Sequence, residues 1–197
     1  MPQAKTRIKI VAVIGSVRPF NFTSKALAVV IDEIKKYPEI DVEIVDPSIL
    51  KLSLPGRESE DTSSLWLQKV VSQAAGVILI TPEYHGSYSS VIKLVIDNLG
   101  YPSTLSGKPV VLLGVAAGQI GAIKALEHLR SVCAHVGAIV LPWSISVALV
   151  HKVFDEKGRC LDEKIEQKIR SVAVELIEYI KIHAYPLKCF EEIIREN

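Results

Sequence analysis

Val13-Ile14-Gly15-Ser16-Val17-Arg18-Pro19-Phe20-Asn21-Phe22-Thr23-Ser24 is the stretch on which the reading of this chain turns. Residues 8–14, which lead into it, are apolar at nearly every position and largely β-branched. That is the pattern of a strand buried on both faces in a parallel sheet. Beyond it, Leu27, Val30, Ile31 and Ile34 recur at helical spacing over 23–36, and Tyr37-Pro38 ends that helix. Strand, polar loop and helix are therefore predicted in that order. A helix start exposes unpaired N–H groups and a partial positive charge, so an anion can rest there. Ser16, Asn21, Thr23 and Ser24 offer side-chain donors, and Arg18 offers a fork-shaped cation able to grip a phosphate. The same residues also suit a plain β–α turn, with Thr23 or Ser24 as helix N-cap and Arg18 solvated. Neither GxGxxG nor GxxxxGK[ST] occurs, so the standard dinucleotide and P-loop fingerprints are absent.

Working outward, the chain alternates. A second strand is predicted at 42–45, followed by a long connection, 46–63, that reads as a solvated or ligand-binding loop. A helix over 62–75 is expected to share Leu65, Trp66, Lys69, Val70 and Gln73 on one face. Then come a strand at 77–80, a loop at 81–87, a helix at 89–99, a strand at 110–115 and a loop at 116–121. A helix at 122–135, a fifth strand at 138–141 and a last helix at 162–182 follow, while 142–150 fits no pattern. Five strands alternating with five helices predict an α/β fold with a parallel sheet covered on both faces. Right-handed crossovers give the strand order 2-1-3-4-5. That order reverses between strands 1 and 3, and ligands bind at the carboxyl ends of strands at such a reversal. The loops leaving those two strands, 15–24 and 81–87, are also the two richest in polar chemistry.

Thr81-Pro82-Glu83-Tyr84-His85-Gly86-Ser87 combines a rigid proline, an aromatic able to lie against a flat ring, and a glycine that allows close backbone approach. The plainer alternative is a β–α turn with Tyr84 packed on a neighbouring subunit and Glu83 solvated. Ala116-Ala117-Gly118-Gln119-Ile120-Gly121 presents small residues that could edge a planar ligand. The five histidines show no metal-ligand spacing, and no catalytic triad can be argued from residue order.

Composition sets the outer limits. A chain of 197 residues with 49% apolar content is expected to form one domain over 1–197. A net charge of +1 supplies no basic field for nucleic acid and no acidic face of the kind an electron carrier shows its partners. Cys133, Cys160 and Cys189 are widely spaced and form no CxxC, which reads as reduced thiols in a cytoplasmic protein without a metal site. No signal peptide or membrane span is expected.

The chain resembles the NAD(P)H-dependent FMN reductase family of flavodoxin-like proteins, which includes azoreductase, quinone reductase and chromate reductase members. The resemblance runs from about Ile8 to Ala148 and rests on three motifs: Gly15-Ser-Val-Arg18 with Asn21 and Thr23; Thr81 to Ser87 running into Asp97-Asn98; and Ala116 to Gly121. It implies a flavodoxin-like three-layer sandwich with bound FMN. By resemblance, Ser16, Arg18, Asn21, Phe22 and Thr23 hold the phosphate. Pro82, Glu83, Tyr84, His85, Gly86 and Ser87 line the isoalloxazine, and Ala117, Gly118 and Gln119 lie at its other edge. The implied activity passes hydride from NADPH or NADH to FMN and on to a small-molecule acceptor such as a quinone, an azo compound or free flavin. No catalytic side chain is demanded of the protein, because the cofactor carries the chemistry. The alternative is a non-enzymatic electron carrier on the same fold. Relatives are commonly homodimers or homotetramers with the flavin near a subunit interface. Two departures from the resemblance stand out: Phe20 stands where members often have glycine or another small residue, and His85 where asparagine is common. The tail, 183–197, lies outside the resemblance.

Overall fold

The computed structural model describes residues 7–57 and 61–184. The expectations for the tail therefore fall, beyond residue 184, outside the described residues, as does Cys189. The strands are β1 (Ile8–Ile14), β2 (Ile40–Val45), β3 (Gly76–Tyr84), β4 (Ser87–Tyr88), β5 (Pro109–Val115), β6 (Ile139–Val140) and β7 (Ile145–Val147). The helices are α1 (Phe22–Ile34), α2 (Ser63–Gln73), α3 (Ser90–Asp97), α4 (Ile123–His135), α5 (Val150–Val153) and α6 (Glu163–Tyr179).

The sheet runs β2-β1-β3-β5-β6, with every neighbouring pair parallel. Counted by parallel strands alone, this is the expected reversal between the first and third. Two features correct the five-strand expectation. The third strand does not stop at Ile80: β3 continues to Tyr84 and folds back as β4, antiparallel to it. The fifth strand is split, because β6 pairs with the start of β5 and β7 with its end. Pro142 falls in the gap and has no N–H for the ladder. Arg130 stitches the break: its guanidinium donates to the carbonyls of Val140, Leu141 and Pro142 and to Ser144 Oγ. This is the segment that no sequence pattern resolved.

The apolar runs become strands because both of their faces are covered. Ile10, Ala12 and Ile14 of β1 pack with α1 and α6, while Val11 and Val13 pack with the layer of α2, α3 and α4. β3 and β5 alternate in the same way. On the first layer Arg170 of α6 bridges to α1, with Nη1 2.7 Å from Asp32 and 3.2 Å from Glu33. The Arg170 guanidinium holds the Asp32 carboxyl below its usual range, and Lys36 with Arg170 does the same for Glu33 against the opposing effect of burial. On the second layer α2 turns in Leu67 and Val71, leaving Leu65 64% and Trp66 38% exposed. Of the predicted face only Val70 packs on this core, which Leu50 and Leu52 of the 46–57 connection also cover. That connection is a strap, tied by Asn98 Nδ2 donating to Ser53 O at 3.0 Å. Among the described residues no helix is long and apolar enough to cross a membrane.

Candidate functional site

Parallel strands bring three loops side by side at their carboxyl ends: 15–21 after β1, the β3–β4 hairpin, and 116–122 after β5. Gly15 makes the first junction. Its N–H donates to Ile80 O at 2.7 Å. A Cβ on Gly15 would run into that same carbonyl oxygen and lie 2.7 Å from Ile92 Cγ1, so only glycine lets β1 leave the sheet this close to β3. Ser89, buried between them, then ties the loops together. Its Oγ donates to Gly15 O at 2.6 Å and accepts the Ile92 N–H as the N-cap of α3. Its own N–H goes to Thr81 Oγ1 at 3.0 Å. From the sequence, Thr81 is only the first residue of its motif and residue 89 only a helix start, and neither is given a role. Ser-x-x-Ile before an apolar run signals a cap, but nothing local says that the same hydroxyl reaches back to Gly15.

The N-cap of α1 is Asn21, rather than the expected Thr23 or Ser24. Its Oδ1 accepts from Ser24 N at 2.8 Å and Ser24 Oγ at 3.1 Å, and its Nδ2 donates to Arg18 O at 2.6 Å. The Asn21 side chain is thus occupied in shaping the loop. What it shapes is an open helix end: the Phe22 and Thr23 N–H groups head α1, where no helical carbonyl can reach them. Ser16 is buried and lies under the loop, its Oγ 3.4 Å from the Arg18 N–H. Arg18 is exposed, and its guanidinium carbon sits 4.9 Å from the centroid of the Tyr84 ring. Two connections 66 positions apart in sequence therefore open onto one cleft.

His85 and Gly86 form the hairpin tip with φ of 49° and 75°, the two successive left-handed residues of a tight β-turn. Histidine is among the residues that enter that region more readily than most, and asparagine is another. Phe20 is left-handed too, at φ 52°, a region that glycine alone enters without a Cβ penalty. Pro82 is buried within β3. Glu83 and Ser87 turn away from Arg18 toward α4: Glu83 Oε2 accepts the Ala125 N–H at 3.2 Å, and Ser87 Oγ lies 3.1 Å from His128 Nδ1. Glu83 thus sets a carboxylate against the positive end of α4. Ala117, Gly118 and Gln119 are exposed on the loop flanking the hairpin's other side. β7 and the residues after it fix that loop: Val147 O accepts from Ala116 N, Gly118 O accepts from Leu149 N, and Ser146 Oγ accepts from Ala122 N at 2.8 Å. Ser146 lies in the stretch that carried no pattern.

This arrangement offers hydrogen-bond donors and a cation at one end, and an aromatic face with a tight hairpin at the other. Residues 8–152 match the family model described as NADPH-dependent FMN reductase. The chain belongs to the NADPH-dependent FMN reductase family. An NAD(P)H-dependent FMN reductase of Pseudomonas aeruginosa is 30% identical over 174 residues, covering 83% of this chain and 90% of its own length. An NADPH azoreductase of a Bacillus species is 32% identical over 179 residues, covering 89% and 94%. Among solved structures, a flavoenzyme NAD(P)H:(acceptor) oxidoreductase of Paracoccus denitrificans aligns with a TM-score of 0.77 at 23% identity, covering 89% of this chain and 98% of that one, and so shares the fold. Membership of the FMN reductase family makes the protein an oxidoreductase that works with FMN and a nicotinamide nucleotide. The residues around the cleft fit such a cofactor. A phosphate needs unpaired N–H groups and a cation, which the head of α1 and Arg18 supply, and a flavin needs a flat face, which Tyr84 supplies.

Proposed function

We propose that the protein holds FMN with its phosphate at the head of α1 and its ring against the β3–β4 hairpin, and uses it to reduce a small-molecule acceptor with NAD(P)H. FMN, when bound, supplies the hydride chemistry. The protein supplies position. The Phe22 and Thr23 N–H groups and the Ser16 hydroxyl meet phosphate oxygens, and Arg18 neutralises their charge. The residues from Pro82 to Ser87 contribute mainly backbone around Tyr84, since Glu83 and Ser87 are spent on α4. Ala117, Gly118 and Gln119 border the ring on its other side. Asn21 acts through the loop it caps. The observation that carries this reading is the Arg18 guanidinium 4.9 Å from the Tyr84 ring centroid, which joins the phosphate end to the ring end.

The acceptor class is a quinone, an azo compound or free flavin: flat molecules that can replace nicotinamide on the same ring. The relatives named for FMN, azo and quinone reduction support that range. The whole chain acts as one domain, in the cytoplasm, as a homodimer or homotetramer. The purified protein should absorb as an oxidised flavin and bleach within seconds of anaerobic NADPH or NADH addition, then recover its colour with a benzoquinone. A colourless protein that gains no FMN on titration would overturn the reading.

A further inference from the structure

We propose that Phe20 is the stacking platform for the adenine of NAD(P)H, in a subsite on the outer side of the phosphate loop; this rests on the function proposed above. Phe20 is 97% exposed and carries a bulky side chain in the left-handed region, at φ 52°. Both features are unfavourable in the free chain, because an exposed phenyl buries nothing and a Cβ is crowded at that φ. Strain at a ligand-binding loop points to something that covers the residue in use.

The surroundings name the occupant. Phe20 lines a groove of about 280 Å³ between the 16–24 loop and the end of β2. Ser16, Asn21 and Ser24 of its lining belong to the 15–24 loop. Asp46 and Ser48, from the connection after β2, line it as well, and so does Arg18. Asp46 is held in place by its cap on the Ser48 N–H at 2.9 Å. An aromatic face suits a purine, a carboxylate and a hydroxyl suit ribose hydroxyls, and a guanidinium suits a diphosphate. That set describes the adenosine diphosphate half of a nicotinamide nucleotide. Tyr84 is not part of this groove, so a flat acceptor lying on the flavin ring has no reason to meet Phe20. A second copy of the chain would bring an apolar face, and apart from Val17, Pro19 and Phe20 these walls are polar.

ADP-ribose isolates the question, because it carries the adenosine diphosphate end and no nicotinamide. Calorimetric titration of the FMN-loaded protein with ADP-ribose should give a Kd about tenfold weaker for Phe20→Leu than for the parent, the loss of one base–aromatic stack. Phe20→Tyr, with the same backbone strain, should restore parental affinity. In turnover, Phe20→Leu should raise the KM for NAD(P)H by a similar factor and leave kcat, the quinone KM and FMN affinity in place. Equal ADP-ribose affinity in the parent and Phe20→Leu, or no ADP-ribose binding by the parent, overturns the inference. So does a Phe20→Leu change confined to the quinone KM or to sedimentation, which would make Phe20 an acceptor or subunit contact. Absence of flavin from the parent would instead strike the proposed function.

Discussion

The two ends of the cleft are built by different means. The end proposed for the phosphate is local: Gly15, the Asn21 cap and the open head of α1 lie within a few residues, and Asn21 makes all three of its side-chain bonds between Arg18 and Ser24. The ring end is assembled at a distance. The hairpin depends on Ser89 reaching Gly15, on Glu83 reaching α4, and on Ser146 holding the next loop. A locally built end tolerates disturbance elsewhere in the fold, whereas an end assembled at a distance transmits it.

The largest expected effect is at the point where the two ends join. Gly15→Ala forces a Cβ into the Ile80 carbonyl, which cannot retreat within the sheet, and should cost about 3 kcal/mol or more of stability with loss of bound flavin. Urea denaturation with flavin retention measures it; a neutral result would show that β1 can leave the sheet by another path. Arg18→Ala removes one charged phosphate partner and should weaken FMN binding by about 2 kcal/mol, roughly 30-fold, with little change in urea midpoint of the apoprotein. Fluorescence titration reads the first quantity and denaturation the second; full affinity in the variant would deny the phosphate end its cation. Ser89→Ala should do the reverse, costing about 1–2 kcal/mol of stability and loosening FMN less than Arg18→Ala does. If the two variants gave the same ratio of stability to affinity, the contrast between the ends would fail.

Arg170 gives a baseline remote from the cleft. Asp32 and Glu33 have lowered pKa values in the fold, so their contribution is present above the unfolded carboxylate values and is lost as pH falls through the folded ones. The stability difference between the parent and Arg170→Met should therefore shrink from about pH 4 downward, with FMN affinity at neutral pH unchanged. Denaturation curves at pH 7 and pH 3 decide this, and a constant difference would remove the carboxylates from the account. The smallest effect is His85→Asn, which keeps the hairpin tip but eases its left-handed backbone. It should raise stability by about 0.5 kcal/mol. A thermal melt that falls would give the His85 side chain a role of its own.

Much of this was legible in the residues. The buried apolar runs, the reversal of strand order and the pairing of Gly15–Ser24 with Thr81–Ser87 follow from periodicity and handedness, which are local or nearly so. Errors arose where one segment's fate depended on another. Leu65 and Trp66 of α2 stay outside the core, while Leu50 and Leu52 of the strap pack on it. Thr81 to Tyr84 look like a loop because of their polar content, yet β5 pairs with Thr81 and Pro82 and extends the strand. The stretch 142–150 shows no pattern of its own because distant partners hold it: Arg130 binds Pro142 and Ser144, and residues 145–147 pair with the end of β5.

Sequence alone therefore determined the alternating α/β order, the crevice at the reversal, and the donor-rich start of α1, because hydrophobic period, caps and crossover handedness act over short stretches. Only the tertiary structure decided which side chains are free to meet a ligand. Glu83 and Ser87 are engaged by α4 and Asn21 by its own loop, while Arg18 and Tyr84 face each other and Phe20 stands uncovered. A hydrogen-bonding group satisfied by a distant partner looks identical, along the chain, to one left open, and only folding separates the two.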